Sequence, residues 1–404
     1  MIPPENGIIS FSVLIHRKRI ATELSVESRR EFLGKVVKGA CLACMASALP
    51  LGGKAFSYLQ GSARAATLSD HEAMYYAKAA NNRVDCKLCP WQCRVVDGTR
   101  GRCNVRENRG GTYYALTYGK ACTVHTDPIE KKPLFHYLPG TNAFSIATAG
   151  CNFGCEFCQN WEISQAQPED ISNVDMPPAE VARLAKENGA RSIAYTYSEP
   201  LIFFEYMLDA ARAAKERGIG SVMISNGYVR KEPMKELCGA LSAVKIDFKG
   251  FTDKYYEDVC HGQLRPVQDT LVLLKEAGIW FEMVVLLIPT LNDSQGEIRE
   301  MSGWVKANLG PDVPIHFTRF YPTYKMLNLP PTPIRTLEMA RNTAMEEGIN
   351  FAYVGNLAGH EGESTYCPSC KTMLIKRIGY YIEFNKIKDG SCPSCSCRIP
   401  GVWS

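Results

Sequence analysis

No stretch of this chain holds the roughly twenty consecutive apolar residues that a helix needs to cross a bilayer, although 46% of its 404 residues are hydrophobic. That combination excludes a multipass membrane protein, and a disordered chain would be far more polar. The chain also lacks a general excess of one charge. Its net charge of +4 is local, because residues 1–65 carry nine Lys/Arg against four Asp/Glu and the remainder is nearly balanced. A neutral body offers no electrostatic footprint for nucleic acid or a membrane surface. Cysteine, by contrast, is abundant: there are 17.

The first 65 residues read as an address rather than as part of the fold. Arg29 and Arg30 sit in a twin-arginine pattern, Ser-Arg-Arg-Glu-Phe-Leu-Gly-Lys from position 28. A weakly apolar run follows over residues 39–53, short for a span but suited to a signal core, and Ala63-Arg64-Ala65 offers a cleavage site. Such a leader carries folded proteins, and it implies export to the periplasm or the outer face of the membrane; without it the chain would be cytoplasmic.

Twelve cysteines fall into three groups beyond this leader, which itself contains Cys41 and Cys44; Cys122, Cys238 and Cys260 stand alone. Isolated cysteines usually serve as small buried hydrophobes, whereas close spacing on turn residues favours metal over disulfides. The first group, Cys86, Cys89, Cys93 and Cys103, suits a tetrahedral zinc knuckle or an iron–sulfur cluster equally well. The last group pairs Cys367 and Cys370 with Cys392 and Cys395, both as Cys-Pro-Ser-Cys. This is the pattern of a zinc ribbon or a rubredoxin-like single-iron site, with short strands expected at residues 374–377 and 380–384. The glycine often found after the second cysteine of a knuckle is replaced here by Lys371 and Ser396, and Cys397 is a competing ligand.

The middle group lacks a fourth member. Cys151, Cys155 and Cys158 are followed by Gln159, with no further cysteine before Cys238. Four irons held by three thiolates leave one iron open to another ligand. An electron carrier wants its cluster fully ligated, so the missing cysteine points to catalysis.

From residue 143 onwards strand-like runs alternate with amphipathic helical ones. Strands are expected at 144–148, 192–197, 221–225, 244–248, 281–288 and 315–320; helices at 179–188, 201–217 and 266–277 each end at a glycine, and 334–347 precedes another. Six strand–helix units imply parallel strands, too few to close an eight-stranded barrel, hence an α/β, TIM-like partial (β/α)6 barrel. The expected layout is a leader at 1–65, a Cys-rich N-terminal segment at 66–142, the partial barrel at 143–358 and a ribbon module at 359–404. Chemistry in such folds sits at the C-terminal ends of the strands. There the sequence places the three-cysteine loop, Glu199, Asn226, Asp247 with Lys249, and Arg319 with Tyr321. His125, together with Glu130, Lys131, Lys132 and His136 of the run 127–136, adds candidates for the barrel mouth.

C-x3-C-x2-C on the loop after the first strand, with Phe157 before the last cysteine, resembles the signature of the radical SAM superfamily. Within it the chain is similar to pyruvate formate-lyase-activating-enzyme-like proteins, and to the radical SAM members of the AmmeMemoRadiSam system, over roughly residues 84–404. The resemblance implies that Cys151, Cys155 and Cys158 bind a [4Fe–4S] cluster whose open iron chelates S-adenosylmethionine (SAM). By the same resemblance Glu199 accepts from the methionine ammonium, Asn226 and Asp247 bind ribose or methionine groups, and Phe157 borders the adenine. The implied reaction is reductive cleavage of SAM to a 5′-deoxyadenosyl radical that abstracts hydrogen from a substrate. A protein substrate, AmmeMemoRadiSam-system partners and an electron donor such as flavodoxin or ferredoxin follow as expected partners. The competing readings are a non-catalytic iron–sulfur electron carrier and a zinc-ribbon binding module.

Overall fold

The computed structural model describes residues 67–404; the expected leader, with Cys41 and Cys44, lies outside them. Among the described residues, the largest sheet has eight strands in simple chain order. They are β1 (Thr123–Pro128), β2 (Asn142–Ala147), β3 (Ser192–Tyr195), β4 (Gly220–Ser225), β5 (Ala243–Asp247), β6 (Trp280–Leu287), β7 (Ile315–Arg319) and β8 (Ala352–Gly355). Neighbours from β2 to β8 pair in parallel, with Ile193 opposite both Phe144 and Ser221, while β1 runs antiparallel along β2. The sheet is open, with β1 and β8 at its edges.

The six expected strand–helix units are present, each of β2–β7 being followed by a helix, and one further parallel strand ends the series. The short apolar run after the last helix is long enough to extend the sheet beside β7 as β8. The helical crossovers are α1 (Pro178–Glu187), α2 (Phe204–Lys215), α3 (Lys231–Ala240), α4 (Leu264–Glu276), α5 (Gln295–Asn308) and α6 (Ile334–Glu346). Four of them close on Gly189, Gly218, Gly278 and Gly348, all in the left-handed region, where glycine carries no Cβ penalty. The strands are almost wholly buried, since helices cover one side and inward side chains fill the other. No helix among the described residues is long and apolar enough to cross a membrane.

Two smaller β structures flank this sheet in sequence. Residues before β1 form short antiparallel hairpins, including Tyr76–Ala79, Arg83–Cys86 and Arg106–Arg109. Residues after β8 form the hairpin Met373–Ile378 and Tyr381–Asn385, close to the strands expected there.

Candidate active site

The three-cysteine loop leaves β2 and is held by backbone from several directions. Gly154 N–H donates to Cys260 O at 3.2 Å, and Glu156 N–H to Val259 O at 3.0 Å. Those carbonyls belong to a single π-helical turn, Tyr256–Cys260, that ends at His261 in the left-handed region. Wide turns of this kind free carbonyls for other partners. The Trp91 indole donates to Asn152 O at 2.8 Å, and Gln165 to Phe153 O at 3.2 Å. The Asn152 side chain donates to Tyr228 O and accepts from Asn226 Nδ2 at 2.8 Å. Cys260, expected to be an isolated apolar cysteine, is buried but also lends its carbonyl to this loop.

The loop caps a cavity of about 400 Å3 at the C-terminal ends of the strands. Cys151, Cys155, Cys158 and Phe157 line it, together with Glu199 after β3, Asn226 after β4 and Asp247 at the end of β5. Every SAM- or cluster-site residue expected from the sequence thus borders one space. Lys131 and Lys132 also reach it, and so does Tyr380 from the C-terminal hairpin. Other candidates do not line it. His136 is buried elsewhere, against Pro400 O and Tyr353 Oη, and Glu130 accepts from Gly140 N–H. Arg319 donates to Thr332 O and to Tyr321, and Thr318 of the same strand faces the cavity instead. Alternation along β7 sends neighbouring residues to opposite sides.

Glu199 is buried and accepts three hydrogen bonds, from Leu201 N at 3.0 Å, Ser225 Oγ at 2.6 Å and Asn226 N at 2.8 Å. Its carboxylate has no ion-pair partner among the described residues. Burial pushes it up to about 7, although these three donors pull the other way. Asp247 has the opposite environment. Burial alone would raise it, but ion pairs with Lys245 and, at 3.1 Å, with Lys249 hold it at about 2. Lys245 escaped sequence reasoning, yet the period of two along β5 places it on the same face as Asp247. Phe157 is buried with its ring near-parallel to Tyr255, and Lys249 Nζ lies 5.7 Å from the Phe157 ring centre. At the mouth, Asp127 pairs with Lys131 at 2.8 Å and Lys132 at 2.7 Å, and accepts from Tyr197 Oη at 2.7 Å. Burial pushes Lys132 down to about 8 despite Asp127.

Cys367, Cys370, Cys392 and Cys395 form a different kind of site. Their sulfurs all lie within 4.8 Å of one another, with pairs at 3.6 Å. A tetrahedral metal with bonds near 2.3 Å places its thiolates about 3.8 Å apart, so this group fits one ion. Both knuckles repeat the same turn: Lys371 N donates to Cys367 O, and Ser396 N to Cys392 O, with left-handed Lys371 and Ser396 doing what glycine often does. Cys397 turns to Arg398 O instead of joining the group.

The Radical SAM superfamily model matches residues 145–301. An uncharacterized protein of Methanocaldococcus jannaschii is 46% identical over 330 residues, covering 82% of this chain and 97% of that protein. The pyruvate formate-lyase-activating enzyme of Clostridium pasteurianum is 22% identical over 160 residues, 39% of this chain and 66% of that enzyme. A radical SAM methyltransferase structure from Sphaerobacter thermophilus covers 59% of this chain and 71% of its own, at 16% identity and a TM-score of 0.44. The matched region begins in β2 and takes in the whole three-cysteine loop, and on that ground the chain belongs to the radical SAM superfamily.

Proposed function

We propose that this chain is a radical SAM enzyme in which Cys151, Cys155 and Cys158 hold a [4Fe–4S] cluster and the 400 Å3 cavity receives SAM. One observation carries the reading: three thiols and a buried carboxylate without a cation face the same cavity. A cluster held by these three thiolates would supply the electron for reductive cleavage of SAM bound beside it, the chemistry that leads to hydrogen abstraction from a substrate. Glu199 offers the negative charge that the methionine ammonium needs, in surroundings dry enough to make that charge-assisted bond strong. Asn226 is fixed by its own hydrogen bonds to Asn152 and Tyr228, so it positions the cysteine loop and presents a rigid wall to the ligand. Asp247, kept ionised by two lysines, accepts from ribose hydroxyls. Phe157 supplies an apolar face beside the adenine.

The substrate we infer is a polypeptide. The Clostridium pasteurianum relative is named for activating pyruvate formate-lyase, itself a protein, and here the mouth is bordered by Lys131, Lys132 and Tyr380. The C-terminal cysteines we assign to a structural zinc or single iron. A pure electron carrier would have no use for a cavity of this size beside its cluster.

The decisive assay is anaerobic: protein with reduced cluster, dithionite and SAM, with 5′-deoxyadenosine measured by chromatography. Production by the native chain and its loss in Cys155→Ala is the expected result. A fully loaded, reducible cluster that neither binds nor cleaves SAM would sink the reading in favour of the carrier.

A further inference from the structure

The function proposed above leaves Cys86, Cys89, Cys93 and Cys103 unused, and their arrangement assigns them a cofactor. All four line one small cavity whose exposed wall is apolar, beneath the short N-terminal hairpins. Backbone hydrogen bonds set the turns that aim them: Cys86 N to Cys93 O at 2.9 Å, Gln92 N to Cys89 O at 3.1 Å, and Asn104 N to Gly101 O at 2.9 Å. None of the four is tied up in a disulfide.

The chain carries its own standards for what such a group holds. The C-terminal four are drawn together as one tetrahedral ion requires, all sulfurs within 4.8 Å. Among the described residues that is the group meeting this spacing, and the N-terminal four do not join it. Cys151, Cys155 and Cys158 do not either. A cubane spreads its thiolates because each binds a different iron, whereas one zinc ion pulls them in. Four sulfurs that share a cavity yet stand apart match the first case. We propose that Cys86, Cys89, Cys93 and Cys103 bind a second [4Fe–4S] cluster, fully ligated by protein.

Its placement is specific. Asn152, the residue after Cys151, forms part of the cavity wall, and its carbonyl accepts from Trp91. On the other side of Cys151, a Cβ on Gly150 would stand 2.7 Å from Cys103 O. The second cluster therefore rests against the backbone of the loop assigned to the first. Taking Cys151, Cys155 and Cys158 as a spacing standard rests on the radical SAM reading; the test below does not.

The experiment is metal and sulfide analysis with electron paramagnetic resonance on the full chain, isolated without oxygen and reduced with dithionite. The informative variant is Cys151→Ala/Cys155→Ala/Cys158→Ala. It is expected to keep about four sulfide and four iron per chain, besides the one ion at the C-terminal cysteines, with a reduced-cluster signal that SAM leaves unchanged. Adding Cys89→Ala and Cys103→Ala should remove that iron, sulfide and signal. A further equivalent of zinc beyond the one ion assigned to the C-terminal cysteines, or no sulfide-matched iron in the triple variant, overturns the proposal. Where the five-fold variant does not fold, the triple variant decides alone. Failure of the SAM-cluster reading would look different, as a native-protein signal that does not respond to SAM while the triple variant keeps its cluster.

Discussion

Glu199 shows how much depends on single side chains here. Replacing it by glutamine keeps the shape but removes the charge awaiting an ammonium, and it sets an amide N–H2 against one of three donors. A charge-assisted hydrogen bond contributes about 1.5–3 kcal/mol, so Glu199→Gln should weaken SAM binding roughly 10- to 100-fold in anaerobic titration calorimetry. Unchanged affinity would assign Glu199 to holding Ser225 and Asn226 alone. Gly150 is the second sensitive point. It sits at φ +94°, and a Cβ there would stand 2.6 Å from Val105 and 2.9 Å from Ile202. Gly150→Ala should cost about 2–3 kcal/mol in denaturant unfolding, from strain and overpacking together. The cysteine spacing was legible in the sequence because it is local; the need for glycine at 150 was not, because it comes from residues of another segment.

Between elements, the buried pair of Arg106 and Glu205 joins strand Arg106–Arg109 to helix α2, with both side chains 1% exposed. Arg106 also donates to Ile202 O and Met74 O, and Glu205 accepts from Met74 N. Cutting one partner leaves a buried charge uncompensated, which typically costs about 3–5 kcal/mol. Glu205→Ala should lose that much by chemical denaturation, and Arg106→Met/Glu205→Leu should recover most of it. A double variant as unstable as the single would mean that the hydrogen bonds to backbone, not charge balance, matter most. Helix ends at glycine and alternation along strands made most core elements readable from sequence. The π-helical turn at Tyr256–Cys260 was not, since its periodicity differs from both regular patterns and its purpose lies in the loop it supports.

At the scale of the whole molecule, a buried network ties the sheet to the segment before β2 and to the C-terminal hairpin. Glu282 accepts from Phe135 N, His136 N and His316, while Arg377 of the hairpin donates to Phe135 O at 2.9 Å. A carbonyl only accepts, so His136 Nδ1 carries the proton toward Pro400 O and Nε2 accepts from Tyr353 Oη. Burial pushes His136 down to about 4, and His316 is lowered for the same reason. With the folded value depressed, the unfolded chain binds more protons as pH falls. The stability His136 contributes is complete above about 6.5 and is lost as pH falls through about 4, at most roughly 3 kcal/mol. Denaturation midpoints measured across that window should drop, and His136→Gln should flatten the slope. If the C-terminal cysteines hold the metal proposed for them, a chelator should loosen the hairpin that brings Tyr380 to the cavity, seen as faster amide exchange over residues 373–385.

By itself the sequence determined the three cysteine groups, the alternation that builds a parallel sheet, and the superfamily, because each is written in spacings along one segment. It also ordered Glu199, Asn226 and Asp247 at strand ends, since parallel strands put all their C-terminal ends on one side. Tertiary structure decided what no spacing records. It gave Glu199 no cation and Asp247 two, sent His136 and Arg319 away from the mouth, and brought Tyr380 to it. It also drew one cysteine group tight while leaving another wide. Those outcomes depend on which distant residues share a buried space, and burial and charge pairing act across space, not along the chain.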